Sequence, residues 1–283
     1  MKSILVTGAK GQLGSSIQEL VKDSNIHKFV FTDSEQLDIT NENKVTAFFN
    51  NTDFDYCINC AAYTAVDRAE TEIESCYKIN AEAVQILAKT CAKHRCILIH
   101  VSTDFVFDGK KIEPYIETDE PNPLNVYGLS KLKGENYIKE YLDSYFIVRT
   151  SWVYSEYGNN FVKTMLRLGA QKERLDVISD QYGSPTYARD LAEFIIALVH
   201  KDSKDFGIYH FSNRGNISWF DFATAIIAYS NNNTVVYPIA SIDYKVKALR
   251  PQYSVMNTIK AQNLLKKPIK EWRQSLSKCM EKL

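Results

Sequence analysis

The chain of 283 residues lacks an excess of charge of either sign, and it lacks long apolar runs. Its 34 Lys and Arg residues balance its 34 Asp and Glu residues. This balance gives no support to a nucleic-acid interface or a membrane-surface patch, so we expect small-molecule partners. No apolar run approaches the length of a membrane span, and MKSILVTG is too short for a signal peptide. We therefore expect a cytoplasmic protein with no membrane segment.

The sequence also has few residues with the spacing of metal ligands. Cys57-Ile-Asn-Cys60 has the spacing of half a zinc site, but no second pair and no nearby histidine completes it. The motif lies in the apolar run YCINCAAY, which is typical of a buried strand, so two core cysteines are the better interpretation. We predict no metal site.

The first half of the chain alternates short apolar runs with helical patterns. The predicted strands are 3–7, 29–32, 56–60, 96–102 and 145–150, and the predicted helices are 12–21, 43–50, 71–93 and 126–141. Strands that are apolar throughout, alternating with helices, predict a parallel sheet covered by helices on both faces. The fold class is therefore α/β, a Rossmann-type doubly wound sheet with a smaller C-terminal substrate lobe.

After Ser151 the alternation of strands and helices becomes less regular. Helical patterns at 160–170 and 187–200 are followed by YHFSN, 209–213, which we interpret as a strand that returns to the sheet. We predict a dinucleotide-binding domain at 1–150 with returning segments at about 171–212. The rest of 151–283 forms a discontinuous substrate-binding lobe over the carboxyl edge of the sheet, where ligands of such folds bind.

A glycine-rich loop follows the first strand. Gly8, Gly11 and Gly14 form G-x-x-G-x-x-G directly before the first helix. The three glycines permit a tight turn, close approach of a pyrophosphate, and close packing of helix on strand. The free N–H groups at the helix start then face the phosphates. The alternative is a glycine-rich turn without a ligand.

A carboxylate ends the second strand. Asp33 lies 19 residues after Gly14, the distance expected for a side chain that binds the adenosine ribose. A turn aspartate is the alternative. Asp38 could accept from the adenine amino group or begin the next helix.

Tyr127 and Lys131 are one turn apart on a predicted helix, a spacing that also arises by chance. Thr103 ends the fourth strand, at the same edge as the glycine loop. A carbonyl that takes up a hydride needs a proton on its oxygen, and a phenol beside an ammonium can supply it. We therefore expect Tyr127 to be the proton donor, Lys131 to lower its pKa, and Thr103 to hold the substrate oxygen over a nicotinamide.

This order of motifs resembles the extended short-chain dehydrogenase/reductase family, and within it the dTDP-4-dehydrorhamnose reductases. The resemblance extends from residue 1 to past residue 250. The motifs that carry it are the glycine loop, CAAYTAVD at 60–67, STDFVFDG at 102–109, PLNVYG at 123–128, RTSWVY at 149–154, GNNF at 158–161 and DQYGSPT at 180–186.

The resemblance implies reduction of the 4-keto group of dTDP-4-dehydro-L-rhamnose by NADH or NADPH, for cell-surface polysaccharide. It implies that Tyr127 donates the proton and Lys131 binds the ribose, while Thr103, Asp104 and Trp152 meet the sugar. The residues that it places around the cofactor are Gly11, Gln12, Leu13, Asp33, Asp38, Ile39, Ala62, Tyr63 and Thr64. Arg250 is a candidate for the substrate diphosphate, the alternative being a surface arginine before a proline.

Three questions stay open at this point. A nucleotide-sugar epimerase or dehydratase uses the same scaffold, and a non-catalytic subunit like the regulatory subunit of methionine adenosyltransferase resembles it too. Some relatives form homodimers through magnesium, but we find no acidic cluster to assign to such a site. No base lies between Thr32 and Asn43, so we expect NADH to serve at least as well as NADPH, with Lys10 allowing some NADPH use.

Overall fold

A computed structural model describes residues 1–230 and 232–283. Within these ranges the strands are β1 (Ser3–Thr7), β2 (Lys28–Thr32), β3 (Tyr56–Asn59), β4 (Ile97–Thr103), β5 (Tyr145–Thr150), β6 (Val153–Tyr154), β7 (Arg174–Ile178), β8 (Tyr182–Gly183), β9 (Thr186–Tyr187), β10 (Gly207–His210), β11 (Ile217–Ser218) and β12 (Val235–Ile239).

The α-helices in the same ranges are α1 (Gln12–Val21), α2 (Glu42–Asn50), α3 (Val66–Ala69), α4 (Ile73–Tyr77), α5 (Ala83–His94), α6 (Val126–Tyr141), α7 (Phe161–Gly169), α8 (Ala188–His200), α9 (Trp219–Tyr229), α10 (Ile259–Leu265) and α11 (Trp272–Met280). Short 3₁₀ turns lie at Asp104–Val106 and Ser241–Asp243.

The main sheet of the described chain has six parallel strands in the order β10-β5-β4-β3-β1-β2. The chain builds outward in one direction from β1 to β2 and in the other from β3 to β10. The strand order therefore reverses between β1 and β3, where ligands of doubly wound folds bind. The predicted α/β doubly wound sheet is confirmed, and the strand predicted at 209–213 returns to it as β10.

Apolar side chains cover both faces of this sheet. On one face Ile4, Val6, Ile58 and Phe146 pack with α1 and α8. On the other face side chains such as Leu5 and Ile147 pack with α2, α5 and α6. The central strands are buried on both faces, which explains why they are mainly apolar rather than alternating, whereas the edge strands β2 and β10 are only partly buried.

A second apolar cluster lies outside the main sheet. It joins α7, α9 and α11 with the short strand pairs β6–β9 and β7–β12. Within the predicted returning segment of about 171–212, α8 and β10 lie on the main sheet, but β7 pairs with β12 in this second cluster. The division into two domains stays a prediction.

The long helix predicted at 71–93 is present but not uniform. It begins as α4, passes through a π-turn at Lys78–Glu82 and continues as α5, while the short α3 precedes it. Asn80 lies in the π-turn, where its side chain accepts from Tyr63 N at 2.9 Å and donates to Tyr63 O at 3.0 Å. Such tertiary contacts have no helical periodicity, and π-turns often lie near functional sites.

No α-helix in the described ranges combines the length and the hydropathy needed to cross a membrane. Cys57 is buried, as predicted for a core cysteine, whereas Cys60 is partly exposed and lines the cleft described next.

Candidate active site

A cleft of about 460 Å³ opens at the carboxyl edge of the sheet, around the point where the strand order reverses. Residues from three strand ends line it. They are Gly8, Lys10, Gly11, Asp33, Ser34, Glu35, Leu37, Asp38, Ile39, Thr40, Cys60, Ala61, Ala62 and Ile79. Six of the predicted cofactor residues, Gly8, Gly11, Asp33, Asp38, Ile39 and Ala62, are thus brought together.

The glycine loop is shaped by close backbone contacts. Gly8 has φ +68°, and a Cβ there would lie 2.6 Å from Ala61 N. A Cβ on Gly14 would lie 2.4 Å from the Gly8 carbonyl oxygen, so both positions require glycine. α1 begins at Gln12, and the N–H groups of its first turn have no partner within the helix. Glycine, cleft and helix start together fit an anionic dinucleotide.

Two other residues of this loop point away from the cleft. The Leu13 side chain packs in the core of the sheet, which leaves only its backbone for a ligand. The Gln12 side chain donates to Val153 O at 3.3 Å and accepts from Ser155 and Asn160, both at 3.0 Å. Gln12 therefore ties the loop to the second cluster, a contact that the sequence analysis did not foresee.

Asp33 and Asp38 both stabilise turns. Asp33 accepts from Glu35 N at 2.9 Å and Gln36 N at 3.1 Å, and it pairs with Lys10 Nζ. The Lys10 ammonium lowers the pKa of Asp33, and Asp33 in turn raises the pKa of Lys10. Asp38 accepts from the backbone and the hydroxyl of Thr40. The turn roles left open by the sequence are thus present, and both residues still line the cleft.

Tyr63 and Thr64 follow the third strand. The Tyr63 hydroxyl donates to Glu72 Oε2 at 2.7 Å, and its backbone is bonded to Asn80. Thr64 is exposed. Neither lines the 460 Å³ cleft, so a role at the cofactor stays a prediction for both.

Thr103 and Asp104 follow β4. The Thr103 hydroxyl donates to Asp104 Oδ1 at 3.1 Å. Both residues are buried, and burial raises the pKa of Asp104 to about 7. Asp104 Oδ2 has no partner with hydrogen-bond geometry in the described part of the chain, although the Ser254 hydroxyl is near enough to this carboxyl group to oppose the rise of its pKa. A buried carboxyl group with a free oxygen is suited to a polar ligand such as a sugar hydroxyl.

Tyr127 lies in the first turn of α6. The helix is capped by Asn125, whose side chain accepts from Gly128 N at 2.8 Å. Burial raises the pKa of Tyr127, whereas a hydrogen bond with the Thr103 hydroxyl lowers it. The structure therefore brings the predicted donor and the predicted substrate-oxygen residue together. The lowering that we expected from Lys131 is not among the causes of this pKa shift.

Lys131 is buried one turn further along α6. Its Nζ donates to Val101 O at 2.7 Å and lies 3.1 Å from His100 Nε2. Burial lowers the pKa of Lys131 to about 8, opposed by Glu135. Glu135 lies on the same helix face and makes a two-point ion pair with Arg149, which anchors α6 to β5.

Trp152 stands at the border of the second cluster. It has φ +47°, an unusual backbone conformation for a bulky residue. Its ring stacks on Trp219 with 3.5 Å between centroids. A Cβ on Gly183 would lie 2.6 Å from the Trp152 ring, so the glycine of the DQYGSPT motif makes room for this stack.

Arg250 is held by a carboxylate that the sequence analysis overlooked. Arg250 Nη2 lies 2.7 Å from Asp67 Oδ2, and Nη1 lies 3.2 Å from Asp67 Oδ1. The choice between a diphosphate ligand and a surface arginine stays open, but the arginine is already paired. Binding of a diphosphate would have to share or displace Asp67.

Several further residues were missed from the sequence. His100, Asn80, Trp219, Gly183 and Asp67 contact predicted site residues. Asp67 and Gly183 lie inside motifs that were noticed, and His100 lies in a predicted strand, where a polar residue in an otherwise apolar stretch was an available signal. No sequence signal pointed to Trp219, because its contact partner Trp152 lies 67 residues away in the chain.

A dinucleotide-type sheet, a glycine loop, a threonine at the end of β4, and a tyrosine and a lysine on α6 together define an extended short-chain dehydrogenase/reductase. Within that class the chain belongs to the RmlD substrate binding domain family, whose pattern it matches over residues 1–283.

Relatives in this family cover nearly the whole chain. The chain is 41% identical to a dTDP-4-dehydrorhamnose reductase of Aggregatibacter actinomycetemcomitans, over 98% of this chain and 97% of the relative. A solved dTDP-4-dehydrorhamnose reductase of Bacillus anthracis, in complex with NADP, is 40% identical with a TM-score of 0.95, over 100% of this chain and 99% of that one. The corresponding Clostridium acetobutylicum structure has 40% identity and a TM-score of 0.94, over 99% and 98%.

Proposed function

We propose that the protein reduces the 4-keto group of dTDP-4-dehydro-L-rhamnose with NADH or NADPH and forms dTDP-L-rhamnose. Two observations carry this proposal together: the Thr103 hydroxyl is near enough to Tyr127 to oppose the rise of its pKa, and a glycine-loop cleft suited to a dinucleotide opens at the carboxyl edge of the same sheet. The names of the full-length relatives support the substrate, and the NADP complex of one of them supports the cofactor.

The cofactor, when bound, supplies the hydride that reduces the carbon of the carbonyl group. The glycine loop and the first turn of α1 would hold the pyrophosphate, Asp33 would accept from the adenosine ribose, and Lys131 would bind the second ribose.

The chain's own residues supply the proton. When the substrate binds, the Thr103 hydroxyl turns its hydrogen from Asp104 Oδ1 to the substrate oxygen, and the Tyr127 hydroxyl transfers its proton to the same oxygen. Asp104 Oδ2, which has no partner in the described chain, accepts from a sugar hydroxyl. Trp152 provides an apolar surface for the sugar, and Arg250 exchanges part of its bonding with Asp67 for the diphosphate.

The decisive experiment measures the loss of NADH and NADPH absorbance with dTDP-4-dehydro-L-rhamnose, beside UDP- and GDP-linked ketosugars as matched controls. We expect stoichiometric cofactor oxidation and a clear preference for the dTDP sugar. An epimerase or a dehydratase would convert a nucleotide sugar without net oxidation of the cofactor. A non-catalytic subunit would bind cofactor and turn over none of these sugars.

A further inference from the structure

A chain of buried polar side chains crosses the sheet beneath the candidate site and ends on Lys131. Thr7, Asn59, His100 and Lys131 come from β1, β3, β4 and α6, and each is at most 2% exposed. Thr7 Oγ1 donates to Asn59 Oδ1 at 2.7 Å. Asn59 Nδ2 lies 3.0 Å from His100 Nδ1, and His100 Nε2 lies 3.1 Å from Lys131 Nζ.

The backbone of Ala61 fixes the direction of this chain. Ala61 N, which can only donate, lies 3.2 Å from Asn59 Oδ1, so the amide oxygen must face it. The amide nitrogen of Asn59 therefore donates to His100 Nδ1, which has to accept. A neutral imidazole that accepts at Nδ1 carries its proton on Nε2.

The proton on Nε2 faces Lys131. Burial lowers the pKa of His100 well below its usual range, so the ring stays neutral. An ammonium group has three N–H donors and no lone pair, so it would meet the Nε2–H of His100 donor to donor. A neutral amine can accept from His100 while it donates to Val101 O at 2.7 Å.

We propose that His100 is a positioning residue that donates to Lys131 Nζ and favours its neutral amine in the cofactor-free protein, so that Lys131 takes up a proton when the cofactor binds. The proposal rests on the proposed role of Lys131 at the cofactor ribose. A bound dinucleotide brings an anionic pyrophosphate and ribose hydroxyl acceptors, and both favour the ammonium form. The proton comes from the solvent, and the protonated amine turns from His100 to the ribose.

The other groups that face Lys131 do not provide a competing proton. Cys60 on β3 and Cys76 on α4 are thiols whose pKa values are raised by burial, so both stay neutral near pH 8. Glu135 on α6 favours the ammonium, but both its oxygens are bonded to Arg149. Burial is the largest influence on Lys131 and lowers its pKa to about 8.

Calorimetric titration of the cofactor-free protein with NADH tests the proposal without any nucleotide sugar. The heat is measured at pH 8 in several buffers of different ionisation enthalpy, and its slope gives the number of protons taken up. Burial alone lowers the pKa of Lys131 to about 8, which corresponds to about half a proton per site at pH 8, so with the His100 donor more than half a proton is expected at pH 8 and much less at pH 6.5. Absence of uptake at pH 8 overturns the proposal.

Four variants identify the source of the proton. In His100→Leu the donor is lost but the burial of Lys131 remains, so uptake at pH 8 should fall to about half a proton, whereas His100→Gln keeps an N–H donor and should restore it. Lys131→Met has no amine at this position and therefore gives the proton uptake that comes from all other groups. In Asn59→Asp the carboxylate can only accept, so the imidazole proton moves to Nδ1, Nε2 accepts from the ammonium, and uptake should disappear.

Two outcomes contradict the donor role. One is unchanged proton uptake in His100→Leu, and the other is a folded His100→Gln that fails to restore it. Circular dichroism and thermal unfolding confirm that each variant is folded, and Asn59→Asp replaces His100→Leu if the latter is not. Because the measurement needs no ketosugar, it can fail while the reductase activity stands, and the reductase assay can fail while proton uptake is observed.

Discussion

The sheet half of the molecule and the second apolar cluster contribute to the candidate site by different means. In the sheet half, buried polar side chains hold one another across neighbouring strands, and the Glu135–Arg149 pair anchors α6. In the second cluster, stacked rings and a glycine position Trp152 next to strand pairs of only two residues. Polar chains fix where a proton lies, whereas aromatic stacks provide a surface. We therefore expect changes in the first region to affect turnover and changes in the second to affect sugar binding.

The largest effect on turnover is expected for Tyr127→Phe. The variant loses the hydroxyl that supplies the proton but keeps the ring, which packs edge-on against Phe105. Loss of a general acid lowers turnover by roughly 10² to 10⁴-fold. Steady-state kinetics should show this fall, with the dissociation constant of NADH almost unchanged by fluorescence titration.

Tyr137→Phe is the matched control, since Tyr137 lies on the same helix, where its ring packs under Lys133. Its turnover should equal that of the wild type. Near-normal turnover in Tyr127→Phe would exclude the tyrosine as proton donor.

The second effect is on stability. Glu135→Gln leaves Arg149 as a buried guanidinium without a counter-ion, and Arg149 Nη1 already has no partner in the described chain. Breaking a buried ion pair from one side typically costs about 3–5 kcal/mol. Urea unfolding should show this loss, and turnover should fall because α6 carries Tyr127 and Lys131.

Glu140→Gln, on the exposed side of α6, is the control and should change the unfolding free energy by less than about 0.5 kcal/mol. A similarly small change in Glu135→Gln would mean that the buried pair does not anchor the helix.

The third prediction tests the aromatic side of the comparison. The added methyl group of Gly183→Ala would meet the Trp152 ring, which cannot move freely because Trp219 stacks on it. Overpacking of this kind costs about 1–3 kcal/mol. The KM for the nucleotide sugar should rise, with little change in cofactor affinity.

Tyr182→Phe, one residue earlier, removes only a partly exposed hydroxyl group and should behave as the wild type. An unchanged KM for the nucleotide sugar in Gly183→Ala would show that the Trp152–Trp219 stack does not contact the sugar.

Arg250→Ala should have a smaller effect. The arginine already pairs with Asp67. A diphosphate that replaces this carboxylate therefore gains only the difference in free energy between two similar ion pairs. We expect a rise of about tenfold in the KM for the nucleotide sugar, roughly 1.4 kcal/mol, and an unchanged KM for the cofactor.

Asp67→Asn sharpens this test, because it weakens the competing pair and should lower the sugar KM. A defect confined to cofactor binding in Arg250→Ala would place the arginine at another ligand.

The regular parts of the sheet half were predictable because their signals are local. The bounds of α1, α6 and β5 are those that periodicity predicts, and each helix start is marked by a glycine or a capping residue. The π-turn was not predictable, because Asn80 makes its contacts with Tyr63, 17 residues away. The two-residue strands β6, β8, β9 and β11 exist only through their partners, so no window of sequence contains their signal.

The site was predictable for a different reason. Strand ends and helix starts of a doubly wound sheet meet at one edge, so residues that follow β1, β2 and β3 could be assigned to one cleft. What orients those residues could not be assigned. His100 was seen only as part of a strand, because its role depends on the Asn59 amide, which is 41 residues earlier in the chain and lies on the neighbouring strand of the sheet.

The smallest expected effect concerns the choice of cofactor, and it lies at the exposed rim of the sheet half. Asp33 accepts from ribose hydroxyls but repels a 2′-phosphate, and Glu35 adds a second negative charge nearby. Lys10 Nζ pairs with both carboxylates, so the positive charge needed by a phosphate is already present but engaged. We therefore expect kcat/KM for NADH to be at least equal to that for NADPH.

Two substitutions separate the effects of Lys10 and Asp33 on the choice of cofactor. Lys10→Ala leaves the two carboxylates unopposed and should widen the preference for NADH, and Asp33→Ala should shift the ratio toward NADPH because Lys10 becomes free to meet the phosphate. Both shifts should shrink as salt concentration rises, since the Lys10 side chain is 72% exposed and its charge is screened. Steady-state kinetics with both cofactors decides the matter. A wild-type preference for NADPH of more than about tenfold, or an unchanged ratio in Asp33→Ala, would show that Asp33 does not bind the ribose.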